Sequence, residues 1–375
     1  MKIFLLIGSL TNGGAERVTI LLARHWAALG HEVALFTMHP QERDFYSLDP
    51  SVCRISVKRT GTSLIDKVIS NIKGWLSLRR AIKRHQPDIM VAMMTSSVVL
   101  GIVAGTGLPV RVYGSERNYP ARQKIHPVWA VLRRLVYRFA DGHIAQTQKT
   151  AVWLNKVTGA RNIKVIPNPV AWPIHAFDPK IDPNEVVAAE RKILLAVGTK
   201  PIQKGFDLLV EAFSKLSSVY PDWDLVILGI DPDSYDTIGG GASVKKLAER
   251  LGIANRLFIP GKVGNTIDWY QRADLFVLSS RYEGIPNVLL EAMASGCPSI
   301  AFDCDTGPRE IIQDGINGVL VPPENIQALS NALALLMDDE PLREKYGQNG
   351  QKVREAFSED KIIGLWSEAI GLTSL

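Results

Sequence analysis

The sequence predicts an α/β protein of two Rossmann-like domains facing across a cleft, and three observations carry that expectation. At 375 residues the chain exceeds the roughly 250 to 300 at which a single hydrophobic core stops growing. Short apolar runs alternate with amphipathic segments, first over Ile3 to Ile7, Ala15 to Leu29 and Val33 to Phe36, and again from Lys192 onward. That alternation marks βαβ units and a parallel sheet. Between the two series Pro167, Pro169, Pro173, Pro179 and Pro183 punctuate a polar stretch. We therefore expect domains at 1–170 and 191–355, a linker at 171–190, and a terminal helix over about 356–375 that packs back on the first domain.

The first run, MKIFLLIGSLTNGG, has the lone lysine of a signal peptide but no small-x-small cleavage site, so it reads as a core strand. Ile89 to Val110 is uncharged over 22 residues, long enough to cross a bilayer. Thr95-Ser96-Ser97 and three glycines interrupt it, however, and Pro87-Asp88 ahead of Ile-Met-Val-Ala marks a buried strand followed by a helix. In the second series the strands are Lys192 to Gly198, Leu225 to Gly229, Arg256 to Ile259, Leu275 to Leu278 and Ser299 to Phe302. Open parallel sheets bind ligands beyond the carboxyl ends of their strands, which directs attention to the loops after these runs.

Composition excludes several classes. Cys53, Cys297 and Cys304 form no CxxC and have no His at ligand spacing, so neither a disulfide framework nor a zinc site is expected. Residues 1–170 carry 24 Lys and Arg against 9 Asp and Glu, while the remainder is acidic by ten. A strongly basic half suits an anionic surface, nucleic acid or lipid. Nucleic acid lacks a recognition motif, so an anionic membrane surface is the expected partner.

Two glycine-bearing loops carry the chemistry. Thr11-Asn12-Gly13-Gly14-Ala15-Glu16-Arg17 opens the first helix, where glycines admit a ligand close to the backbone and the helix N-terminus favours phosphate. Its spacing is not GxGxxG, which disfavours a dinucleotide-dependent dehydrogenase. The second loop lies in Ser279-Ser-Arg-Tyr-Glu-Gly-Ile-Pro-Asn-Val-Leu-Leu-Glu-Ala-Met-Ala-Ser-Gly-Cys-Pro. Gly284 and Pro286 stand where a strand hands over to a helix, with Pro suited to the first helical position. Glu283 then precedes the helix and Glu291 lies about one turn inside it, with the amides of Ile285, Asn287 and Val288 facing a diphosphate.

This string resembles the EX7E motif of retaining GT-B glycosyltransferases of family 4. The likeness extends over Gly-Gly-Ala-Glu-Arg at 13–17, Ile-Pro-Asn-Pro at 166–169, Lys-Gly-Phe-Asp-Leu-Leu at 204–209 and Asp-Gly-Ile-Asn-Gly-Val-Leu-Val-Pro-Pro at 314–323. It implies a GT-B fold and a sugar transfer from a nucleotide diphosphate, a UDP-sugar by preference and possibly one carrying N-acetylgalactosamine, with no cofactor or metal. It implies that Gly13, Gly14, Gly198, Gly284, Ile285, Pro286, Asn287 and Val288 line the donor site. Lys204 would neutralise the diphosphate, Glu283 contact the sugar and Glu291 the ribose, with Lys262 and Val263 against the base. Lys204 and Glu283 are the expected catalytic residues. Two departures stand out. Thr199 replaces the family's usual phosphate arginine, leaving Lys200 nearby, and Gly114-Ser-Glu-Arg-Asn118 replaces a Ser-x-His pattern. In the front-face mechanism proposed for the family the leaving phosphate takes the acceptor proton, so no protein base is needed.

Asp231-Pro-Asp233 and Asp303-Cys-Asp305 invite a metal reading, but the first is turn chemistry and the second a loop, so no metal ligand is assigned. His25, His31 and His143 read as core or surface residues. Lys73 and Arg80, in a basic stretch from Leu64 to Arg84, together with Glu116 and Arg117, are the candidate acceptor-binding residues. A second basic stretch runs from Arg122 to Arg138 around Trp129 and Tyr137. Such charge is similar to that of membrane-associated family members that extend polyisoprenyl-diphosphate-linked saccharides. It implies a lipid-diphosphate-linked acceptor and a place on the inner face of the plasma membrane. A nucleotide-sugar epimerase of the same architecture and a non-catalytic nucleotide-sugar or lipid binder remain as alternatives.

Overall fold

The computed structural model describes residues 1–11, 13–44, 47–57, 64–234 and 241–372. Each apolar run of the first series becomes a strand: β1 (Lys2–Ile7), β2 (Glu32–Thr37), β3 (Cys53–Ser56), β4 (Ile89–Met93), β5 (Arg111–Glu116), β6 (Gly142–Ala145) and β7 (Ile163–Val165). The second series supplies β8 (Lys192–Val197), β9 (Trp223–Leu228), β10 (Leu257–Gly261), β11 (Leu275–Leu278), β12 (Ser299–Phe302) and β13 (Val319–Val321). The two series fold into two compact units, Met1–Pro169 with Asp360–Leu375, and Val170–Glu359.

The first sheet runs β3-β2-β1-β4-β5-β6-β7 and the second β10-β9-β8-β11-β12-β13, and the paired strands are parallel throughout. Both sheets thus repeat the 3-2-1-4-5-6 order of the nucleotide-binding doubly wound fold. Burial explains the near-continuous apolar runs, since helices cover both faces of a parallel sheet. In the first unit, helix Gly14–Ala28 lays Leu22 and Trp26 on one face. Leu78 and Ile82 of helix Leu64–His85, with Val98 and Ile102 of helix Thr95–Gly105, cover the other. The terminal helix Glu359–Ile370 adds Ile362, Ile363, Trp366 and Ile370 to the first of these faces, and Trp26 Nε1 donates to Ser367 Oγ at 3.1 Å.

The uncharged stretch from Ile89 resolves into β4 and helix Thr95–Gly105, and among the described residues no helix is long and apolar enough to cross a membrane. Residues 171–190, expected as a linker, instead pack on the second unit. Val170 and Val187 are buried in its core and Trp172, Ile174 and Ile181 pack against it. The Phe177 amide donates to Gly264 O at 3.1 Å, the Gly264 amide to Pro179 O at 2.6 Å, and the Arg354 guanidinium lies 3.9 Å over the Trp172 ring. The strap forms no long element of its own, and its scattered apolar side chains find burial on the second unit.

Candidate active site

In the second sheet the strand order reverses between β8 and β11, which pair directly. Connections leaving a sheet in opposite directions open a crevice at that point, where ligands bind. Two loops leave the carboxyl ends there. Gly198 to Gly205 follows β8, with a single helical turn at Pro201–Lys204, and Ser279 to Glu283 follows β11. Gly205 sits at φ +62, and a Cβ on it would fall 2.1 Å from Ser279 O, so only glycine lets the loops approach. Ser279 Oγ joins them by donating to Lys204 O at 2.8 Å.

Across that contact Lys204 Nζ meets Glu283 Oε1 at 2.7 Å, with Ser280 Oγ donating to the same oxygen at 2.7 Å. A Cβ on Gly198 would lie 2.6 Å from Lys204 Cγ, so the lysine stem runs over a position kept bare for it. The side chains are 14% and 9% exposed. An ion pair this withdrawn from water is far more strongly coupled than a surface pair, and removing one member strands the other. Thr306 Oγ1 donates to the Glu283 carbonyl, fixing the residue from its main chain as well. Behind it Cys304 is buried; burial and then the Glu283 charge push its thiol up to about 12, so it is inert at neutral pH.

Helix Asn287–Ala294 begins directly after, with Pro286 at its N-cap, one residue ahead of the expected position. The Leu289 and Leu290 amides turn back to Pro286 O at 3.1 and 3.3 Å, and the positive end of the helix dipole follows Glu283 closely in the chain. Glu291 is the helix's fifth residue and 8% exposed; the phenol of buried Tyr270 donates to its Oε2 at 3.2 Å. Gly198, Gly284, Ile285 and Pro286 are buried, Asn287, Val288 and Val263 half-buried, and Lys200 and Lys262 exposed. The loops at the switch point thus bring a cation onto a buried carboxylate, and the helix that follows carries a second buried carboxylate, Glu291.

Residues 12–171 match the model of Glycosyltransferase Family 4, and residues 178–353 that of glycosyl transferases group 1. The chain belongs to the GT4 glycosyltransferases. It is 26% identical to an uncharacterized glycosyltransferase of Haemophilus influenzae, over 94% of this chain and 95% of that one. Identity is also 26%, over 99% of this chain and 98% of the relative, with the GalNAc-α-(1→4)-GalNAc-α-(1→3)-diNAcBac-PP-undecaprenol α-1,4-N-acetyl-D-galactosaminyltransferase of Campylobacter jejuni. Among solved structures, Anabaena HepE in complex with UDP superposes with a TM-score of 0.82 over all of both chains at 18% identity, a likeness that shows the GT-B fold.

In the first unit of this GT4 glycosyltransferase, Gly13 caps helix Gly14–Ala28 with no side-chain bond; Asn12 of the same loop lies outside the described residues. Lys73 and Arg80 are exposed on helix Leu64–His85, whose side chains over 64–71, Lys67 included, also lie outside the described residues. Glu116 and Arg117, by contrast with exposed Lys73 and Arg80, are interior residues. Glu116 is buried at the end of β5, accepting from Thr95 Oγ1 at 2.8 Å and from Tyr137 Oη, with Arg133 Nη1 at 3.9 Å. Burial pushes its carboxyl up, against those three partners. Arg117 is buried too, bonded to Ser115 Oγ and Asn168 Oδ1, with its guanidinium 5.6 Å from the Trp366 ring centroid; burial lowers it to about 9. Both residues thus lie within the interior of the unit, where Glu116 Oε2 and Arg117 Nε are buried without a hydrogen-bond partner.

The paired aspartates are likewise engaged. Asp303 Oδ1 accepts from Arg309 Nε at 2.7 Å, and Asp231 Oδ1 accepts from the Asp233 amide at 3.0 Å. Sequence reasoning missed Tyr270, 21 positions from Glu291 with no spacing to betray it. It also passed over Ser280, which stood in plain view inside the quoted string.

Proposed function

We propose that the chain is a retaining, metal-independent glycosyltransferase. It would move a hexose or N-acetylhexosamine from a UDP-sugar to a lipid-diphosphate-linked saccharide at the inner membrane face. The observation that carries this reading is the 2.7 Å Lys204–Glu283 contact at the switch point. Breaking the anomeric bond builds negative charge on the diphosphate and positive charge on the ring. Lys204 and the positive end of helix Asn287–Ala294 answer the first, with Lys200, Lys262 and Val263 completing the donor site of the second unit. Both side-chain bonds to Glu283 fall on Oε1, which leaves Oε2 for a sugar hydroxyl and places carboxylate charge near the ring. Glu291, steadied by Tyr270, takes the ribose. The leaving phosphate oxygen accepts the proton of the attacking hydroxyl on the same face, so the anomeric configuration is retained.

The acceptor class rests on the basic first half, on exposed Lys73 and Arg80, and on the lipid-linked substrate in the name of the Campylobacter relative. Metal independence follows from Lys204 supplying the charge a divalent cation would. Thermal shift with UDP, GDP, ADP and TDP, repeated in EDTA, tests donor and metal together. The largest shift is expected from UDP, with transfer persisting in chelator. A larger shift with GDP overturns the base assignment, and loss of transfer in EDTA with rescue by Mn²⁺ overturns metal independence.

A further inference from the structure

Helix Pro127–Val136 and the 3₁₀ turn Tyr137–Phe139 that continues it turn Trp129, Leu132, Val136 and Tyr137 inward. At i, i+3, i+7 and i+11 on the outer side stand Val128, Val131, Leu135 and Phe139, exposed by 55, 54, 52 and 71%. Single exposed apolar side chains are ordinary, but four in one helical stripe make a face that water covers at a cost. Exposed Arg134 and Arg138 run beside the stripe, and Arg138 stays with it, its guanidinium 5.9 Å from the Phe139 ring centroid. Neighbouring helix Gln148–Thr158 packs alongside, with Arg133 over its Trp153 at 4.7 Å, and presents exposed Lys149, Val152 and Lys156. Between Arg117 and Phe177 the only acidic residue is Asp141, and its carboxylate is turned to the Val112 amide at 2.7 Å.

We propose that this face seats the protein on an anionic lipid bilayer: Val128, Val131, Leu135 and Phe139 enter the headgroup boundary while Arg134, Arg138, Lys149 and Lys156 meet lipid phosphates. An apolar stripe flanked by cations and free of carboxylates is complementary to that interface and is unsuited to a neutral or cationic protein surface. The inference rests on the proposed membrane location and adds to it a second contact, distinct from Lys73 and Arg80, that works by insertion.

The test is sedimentation of the full chain with vesicles containing phosphatidylglycerol, compared with phosphatidylcholine alone. Wild type is expected to bind the anionic vesicles, and Val131→Asp/Leu135→Asp to lose at least about tenfold in partitioning, the equivalent of about 1.4 kcal/mol, because two apolar side chains of the inserting stripe become charged. Arg134→Glu/Arg138→Glu should lose binding to the anionic vesicles, and what binding remains should fall less with added salt than that of wild type, with UDP binding unchanged in both variants. If the Asp variant binds like wild type while Lys73→Glu/Arg80→Glu does not, the membrane reading stands and this face is wrong. If wild type ignores anionic vesicles, the membrane reading falls as well. A wild-type dimer by analytical ultracentrifugation that the Asp variant abolishes assigns the stripe to a second copy of the chain and overturns the proposal.

Discussion

At the scale of single residues, Lys204 and Glu283 serve each other before any donor arrives. On the proposed reading Lys204→Ala removes the cation that would face the developing phosphate charge, so turnover should fall by about 3 kcal/mol, roughly a hundredfold, while UDP binding weakens less. It also strands a carboxylate that is 9% exposed, so the variant should unfold at lower denaturant concentration, which circular dichroism reads. Glu291→Ala should weaken UDP and UDP-sugar alike, because both carry the ribose; isothermal titration showing unchanged UDP affinity would remove Glu291 from that role.

His143 allows a pH prediction of a different kind. It is stacked on Tyr137 with ring centroids 4.9 Å apart, its Nε2 lies 2.9 Å from Tyr137 O, and burial lowers its pKa to about 4. Nε2 must donate to that carbonyl, so protonation would put a second N–H on Nδ1, a buried atom with no partner. The folded state therefore holds fewer protons than the unfolded chain between about pH 6.5 and 4. The stability this gives is complete above the unfolded pKa and is lost as pH falls through that window, by up to about 3 kcal/mol. Urea midpoints at pH 7 and pH 5 should differ, and His143→Phe should flatten the difference; an equal slope in the variant would assign the acid sensitivity elsewhere.

At the scale of elements, the site depends on how the loops after β8 and β11 are held. Arg281 is the fastener: its guanidinium gives two bonds to Asp207 at 2.8 and 2.7 Å and one to Ile202 O at 2.8 Å, and its amide donates to Gln203 O at 2.8 Å. Although burial opposes it, the Arg281 bonds hold the Asp207 carboxyl below the usual range. Arg281→Ala should release the turn carrying Lys204 and lower kcat about tenfold with a smaller effect on UDP affinity, since a misplaced group costs rate before it costs binding. Arg281→Lys should rescue poorly, because an ammonium cannot fork to a carboxylate and reach a carbonyl together. Wild-type kcat in Arg281→Ala would show that the loops hold without it.

Local pattern made the strands and this loop pair legible, because buried parallel strands and a glycine-punctuated turn are properties of short segments. The strap over 171–190 was hidden for the opposite reason. Its prolines and polar residues look like a linker, and its contacts with Gly264, Asn265, Arg272 and Arg354 reveal that it belongs to the second unit. The surroundings of Glu116 were hidden for the same reason, because Thr95, Tyr137 and Arg133 reach it from other segments of the chain.

At the scale of the whole molecule, the two sheets share one strand order, yet the charge divides sharply, basic up to residue 170 and acidic beyond. A duplicated scaffold with unlike surfaces suits two unlike ligands, a soluble nucleotide-sugar for the second unit and a membrane-held acceptor for the first. The most direct test incubates the protein and bacterial membranes with radiolabelled UDP-sugars and follows label into an organic-soluble lipid fraction. Label should enter that fraction with wild type and not with Glu283→Ala, although the variant still binds UDP, since only the donor carries the sugar. Transfer by Glu283→Ala at near wild-type rate, or release of an altered free sugar without any lipid product, would contradict the account.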